Sequence, residues 1–252
     1  MAALNITERG DGYPLVFIHG FPFNNQIWDS FAGHFDRSFR VVTPDLPGFG
    51  KSAALSLSFS IEDVANAVLG QLKKKAISEC ALVGHSLGGY VALAMAGQEP
   101  GFISRFALFH STAYADSAEK KDNRNKVVDF VRKNGAEAFT GGFINPLFAD
   151  QKHPAIDQVR AIACKASEET VIGYTLAMRD RPDRTSVLRE FGKPMLIITG
   201  DRDAGITTAS VEEQAALSSD VKVHVLKDVA HMGMFEKPDE SAAVLSRFLG
   251  SK

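Results

Sequence analysis

Short apolar runs alternate with longer helical patterns along these 252 residues. The apolar runs are "LVFIHG" (15–20), "FRVVTP" (39–44), "CALVG" (80–84), "SRFALF" (104–109), "PMLIITG" (194–200) and "VKVHVL" (221–226). They read as continuous rather than alternating strands, which fits a sheet covered on both faces. "LNITERG" predicts a weaker strand ending at the turn "GDGYP". The clearest helix is "SIEDVANAVLGQLKKK". Ile61, Val64, Ala65, Val68, Leu69 and Leu72 form one stripe, Ser60 can cap it, and Asp63 follows three residues on. "QIWDSFAGHF" also reads as helix, and "PDESAAVLSRFLG" closes the chain as one with acids at its start. Strands separated by helices imply parallel βαβ units with right-handed crossovers. The expected fold class is α/β, a mostly parallel sheet with helices on both faces.

Residues 112–190 break that rhythm. They hold helical patterns such as "NKVVDFVRKNG" and "EETVIGYTLAMRD" and no convincing strand. The expected organisation is a core of 1–111 and 191–252 carrying a helical cap at 112–190. The charged stretch "EKKDNRNK" reads as an exposed face of that insertion.

In open parallel sheets, ligands bind beyond the carboxyl ends of the strands. Four loops leave those ends: "HGFPFN", "GHSLGG", "GDRDAG" and "KDVAHMGMF". Ser86 lies between Gly84 and Gly88 where a strand turns directly into a helix, the setting of an exposed serine nucleophile. The bland alternative is a helix-capping serine. A serine hydroxyl needs a base, and His231 follows the last strand. An acid should follow "MLIITG", where Asp201 and Asp203 both occur. Asp203 is the better candidate, because two further residues let its loop turn back toward His231, leaving Asp201 as a turn residue. A tetrahedral intermediate needs two donors. The backbone amides of Phe21 and Leu87 are placed to supply them. Phe23, Trp28 and Met232 near the loops, and Phe139, Phe143 and Phe148 in the insertion, are candidates to bind substrate or, equally, to pack the core. His19 and His85 read as packing and hydrogen-bonding groups.

Composition narrows the partners. A net charge of -2 with scattered basic residues gives no reason to expect nucleic acid. No apolar run approaches a membrane span, and the N-terminus lacks a basic start followed by an apolar block, so the expected location is cytoplasmic. Cys80 and Cys164 form neither a disulfide framework nor a metal-ligand spacing. No metal or organic cofactor is expected.

Taken together, "HGFPFN", "DLPGFGKS", "GHSLGGYVA", "GDRDAGI" and "AHMGMFEKP" resemble the α/β-hydrolase superfamily, in the family's order and across nearly the whole chain. Within it the chain is similar to the small capped esterase, enol-lactonase and cofactor-free perhydrolase group. The resemblance implies a serine hydrolase acting on a small or medium carboxylic ester, lactone or related acyl compound, with Ser86 as nucleophile, Asp203 as acid, His231 as base and Asp45 as a structural loop acid. The same residues in relatives also serve perhydrolysis, hydroxynitrile lysis, carbon–carbon hydrolysis and, on this fold, ligand reception. One departure is the short segment before "PLVFIHG", which implies a truncated first hairpin.

Overall fold

The computed structural model describes residues 3–55 and 58–250. The first two residues of the N-terminal stretch read as lacking a signal, and the last two of the expected core, lie outside the described residues.

Among the described residues, seven strands form one sheet: β1 (Ile6–Arg9), β2 (Tyr13–Ile18), β3 (Phe39–Pro44), β4 (Cys80–His85), β5 (Ile103–Phe109), β6 (Met195–Gly200) and β7 (Val221–Leu226). Their order is β1-β3-β2-β4-β5-β6-β7. Only β1 runs antiparallel to its neighbour, and it is a single short edge strand, in keeping with the short segment before "PLVFIHG". Every residue of β4 and of β6 is buried. β7 departs from the continuous apolar reading. As the other edge it is buried only at its ends, Val221 and Leu226, and Val225 is exposed.

The helices are α1 (Ile61–Lys74), α2 (Leu87–Gln98), α3 (Ala118–Asn134), α4 (Ala136–Phe143), α5 (Ile156–Ala163), α6 (Glu168–Asp180), α7 (Thr185–Glu190), α8 (Thr208–Ala215), α9 (Gly233–Glu236) and α10 (Pro238–Gly250). Successive strand residues point to opposite faces. Val16 and Ile18 therefore join a core with Val68, Leu69, Val91 and Leu93. Leu15 and Phe17 join a second core with Trp28, Phe31, Val159 and Leu245. The α2 helix is buried on almost every side, because it lies between the sheet and other helices.

"QIWDSFAGHF" forms two short 3-10 turns, Asn25–Trp28 and Phe31–His34, in place of one helix. Trp28, Phe31 and Phe35 crowd around Phe17 with ring centroids 5.0, 6.0 and 5.4 Å away. Satisfying that cluster replaces regular helical turns with tighter ones.

Residues 112–190 contain five helices and no strand. The α6 helix ties them to the sheet. Tyr174 donates its hydroxyl to the Pro47 carbonyl at 3.0 Å and Thr170 donates to Gly48 at 3.1 Å, both in the "DLPGFGKS" loop. Asp45 organises that loop from a buried position. It accepts from the Asn25 and Lys51 amides and from the Asn5 side chain. No described helix is long and apolar enough to cross a membrane.

The predicted cap of α1 is present in both halves. Ser60 accepts from the Asp63 amide, and the Asp63 carboxylate accepts from the Ser60 amide. Ser60→Ala should cost about 1 kcal/mol, read as a lower denaturation midpoint with an unchanged slope.

Candidate active site

β4 ends at His85 and α2 starts at Leu87, so one residue makes the turn. Ser86 has φ 49° and ψ -114°. Left-handed φ at a residue with a side chain costs about 1–3 kcal/mol and persists only where neighbours enforce it. Here the Ser86 amide donates to Phe109, and its carbonyl accepts from the Gly89 amide and the Ser111 hydroxyl. The flanking glycines are steric requirements. A Cβ on Gly84 would lie 2.4 Å from the Gly88 carbonyl oxygen, and one on Gly88 would lie 2.2 Å from that of Ile18. The Ser86 side chain makes no capping hydrogen bond to α2. It lines a cavity of about 400 Å³ instead.

Asp203 and His231 line the same cavity. His231 Nδ1 lies 2.7 Å from Asp203 Oδ2. Asp201 lies aside, paired with Lys227 at 2.9 Å. A second imidazole, absent from the sequence reading, meets the same carboxylate oxygen. His110, just past β5, places Nδ1 3.0 Å from Asp203 Oδ2. Its Nε2 accepts from the Gly233 amide, so Nδ1 carries the proton and donates. Asp203 Oδ1 accepts from the amides of Gly205 and Ile206. Burial disfavours this carboxylate's charge. The charge of His231 and the hydrogen bonds from His110 and His231 outweigh it and hold the carboxyl far below the usual range. Burial likewise opposes protonation of His231, and Asp203 overcomes that, holding the imidazole above its ordinary value.

The ligand atoms of His110, Asp203 and His231 lie within 4.8 Å of one another, close enough for a small cation. Both Nδ1 atoms already contact Oδ2 directly, so an ion there would have to break this hydrogen-bonded set.

The backbone around His231 is fixed from three sides. Its amide donates to Leu147 in the insertion. Its carbonyl accepts from His85 Nε2 at 2.9 Å. Glu236 accepts from the flanking amides of Ala230 and Met232, and from Ala149 in the insertion. His19 also serves the backbone, accepting from the Leu46 amide through Nε2 and contacting the Gly20 carbonyl through Nδ1.

The predicted pocket residues separate. Phe21 and Phe143 line the cavity. Phe139 stands behind them, 6.2 and 5.3 Å from their ring centroids. Phe23, Trp28, Phe148 and Met232 do not line it; they are fully buried in the second core. Trp28 is drawn there by Phe17 and Phe31, and Phe148 stacks on His153. Leu87 is buried at the first position of α2, so only its backbone can face the turn. The stretch "EKKDNRNK" is exposed as read, with only Arg124 half-buried. Lys120, Asn123 and Arg124, at helical spacing on α3, line the cavity.

Residues 15–244 match the model of a family described as "Alpha/beta hydrolase family". The chain is similar to the dihydrolipoyllysine-residue acetyltransferase component of an acetoin cleaving system from Pseudomonas putida, at 29% identity over 94% of this chain and 64% of that protein. It is also similar to a pimeloyl-[acyl-carrier protein] methyl ester esterase from Methylococcus capsulatus, at 27% identity over 98% of this chain and 99% of that one. Among solved structures it superposes on a thermophilic esterase from Thermogutta terrifontis with a TM-score of 0.93 and 29% identity, covering 98% of this chain and 93% of that one.

The buried histidines make stability depend on pH. Burial holds His19 at about 4, below its ordinary 6.5, and also lowers His85 and His110. The unfolded chain therefore binds protons first as pH falls. Stability is full above about pH 6.5 and declines toward pH 4, by about 3 kcal/mol from His19 alone. The raised value of His231 offsets part of this, since its contribution is present at low pH and lost as pH rises. Denaturant midpoints between pH 7.5 and 4 should fall. A flat profile would show that these imidazoles titrate normally.

Proposed function

Since the chain belongs to the alpha/beta hydrolase family, we propose that it is a serine hydrolase of small or medium carboxylic esters, lactones or related acyl compounds. One observation carries the reading: an imidazole anchored 2.7 Å from a buried carboxylate lines the same cavity as a serine held in a strained, uncapped turn. His231 Nδ1 donates to Asp203, which leaves Nε2 as the basic nitrogen. Ser86 Oγ attacks the substrate carbonyl as Nε2 takes its proton. The tetrahedral oxyanion meets the amides of Phe21 and Leu87, the latter at the positive end of α2. Collapse expels the alcohol with the proton from His231. Water then gives a proton to His231 and attacks the acyl-enzyme, releasing the acid and restoring Ser86. These steps call for no metal or organic cofactor. In this reading residues 112–190 cap a core of 1–111 and 191–252. Support comes from Val127, Phe143, Pro146 and Leu147 of that segment, which line the cavity. The methyl ester esterase and the thermophilic esterase named above fit the same class.

Two measurements test this. Ser86→Ala should lower p-nitrophenyl acetate turnover by at least about 10³-fold and remove labelling by an organophosphonate; full turnover in that variant would refute the assignment. The acid limb of kcat/KM should lie above 6.5, because Asp203 raises His231, and Asp203→Asn should move it down while lowering the rate.

A further inference from the structure

The charges on the insertion side of the cavity do not cancel. Asp116 is buried where the insertion leaves β5, and two arginines share its carboxylate. Arg181 Nη1 lies 2.8 Å from Oδ1, and Arg124 Nε lies 3.0 Å from Oδ2. Arg181 is almost wholly buried, stacks 3.9 Å over the Tyr90 ring and donates to the carbonyls of Met178 and Tyr114. That pair balances itself. Arg124 is therefore a surplus cation, partly exposed, oriented by a fixed carboxylate and lining the cavity. Lys120 lies one turn earlier on α3 and lines the cavity too, with its ammonium 3.4 Å from the Gly205 carbonyl beside the Asp203 loop. Among the described residues, no carboxylate pairs with Lys120. Much of the remaining wall is apolar, including Phe21, Val127, Phe143, Leu147 and Ile206.

We infer that Lys120 and Arg124 form a carboxylate-binding subsite, and that the preferred substrates are esters or lactones whose acyl part carries a second, ionised carboxylate. The inference rests on the hydrolase reading for the bond that is cleaved, and on α3 alone for the selectivity. A guanidinium fixed by Asp116 loses little freedom when it pairs with an anion, and Lys120 adds a second positive charge. The apolar side chains that line the same cavity suit a short methylene chain. Asp203, the other acid in the cavity wall, is engaged by hydrogen bonds from two imidazoles and two backbone amides. A carboxylate held by Lys120 and Arg124 leaves the ester of such a substrate for the serine, which lines the same cavity.

The test compares monomethyl adipate with dimethyl adipate, which differ only in the free carboxylate. Wild-type kcat/KM, followed by pH-stat at pH 8, should favour the monoester about tenfold, the size of one well-formed ion pair. The ratio should shrink in 1 M NaCl. Lys120→Gln and Arg124→Gln should each reduce it, whereas Lys126→Gln, on the same helix and not part of the cavity wall, should leave it unchanged. Lys120→Gln removes no partner of Asp116, so it remains informative if Arg124→Gln disturbs packing. Binding of both esters to Ser86→Ala by calorimetry reads the subsite without chemistry, and the monoester should bind about tenfold tighter. Equal turnover and equal binding of the two esters would overturn the subsite and leave the hydrolase intact. Tighter monoester binding with no ester cleaved by wild type would overturn the hydrolase reading and keep the subsite. A preference that survives both α3 substitutions would also overturn the subsite.

Discussion

The arrangement of the site depends on one carboxylate. Asp203 takes four hydrogen bonds, two from imidazoles at Oδ2 and two from backbone amides at Oδ1. Those donors come from the end of β5, from the loop after β6 and from the loop after β7. A buried anion without such partners would neutralise itself by taking a proton. With them it stays charged, and it fixes the orientation of His231. His110 has a left-handed backbone of its own, with φ 51°. Strain at that residue is offset by a position that completes the carboxylate and also accepts from Gly233, at the start of α9. Removing His110 would therefore leave both an anion and an amide short of a partner.

The same economy links the insertion to the sheet. Leu147 accepts from the His231 amide, and Glu236 bridges Ala149 to the residues on either side of His231. These contacts make the insertion part of the geometry of His231 as well as a wall of the cavity. Movement of the segment around residues 145–149 would be felt at the imidazole through two short bonds. Movement of α3 would alter the cavity wall and the contact of Lys120 with Gly205. The insertion thus has one portion bonded to the backbone around His231 and another that lines the cavity.

Most of the fold could be read from the sequence, because period and punctuation are local signals. The stripe of α1 and its capping box depend on residues a few positions apart, and so does the serine turn between two glycines. What remained hidden is non-local. Nothing near His110 marks it out: it ends an apolar strand, and its meaning comes from Asp203 and Gly233 far along the chain. Trp28 and Phe148 sit in or beside suggestive loops, and only the packing around Phe17 and His153 decides that they belong to the core. "QIWDSFAGHF" has helical spacing, and tertiary crowding turns it into two tight turns. "EKKDNRNK" has the composition of a solvated face. It is exposed as that composition suggests, and composition does not reveal that Lys120, Asn123 and Arg124 also border the cavity.

The contrast between Asp203 and Asp116 shows how buried acids set different properties in one cavity. Each is buried and each collects cationic or polar donors. Asp203 is surrounded by two imidazoles and two backbone amides, none of them a permanent cation, so its charge is not cancelled outright. Asp116 is surrounded by arginines, which do not lose their protons. Its charge is consumed, and the excess left on the wall is positive. The cavity wall consequently carries charge of two kinds, a responsive one at Asp203 and His231 and a permanent one at Arg124 on α3. Polarity of that kind follows from which partner each acid received, since the two acids are chemically identical.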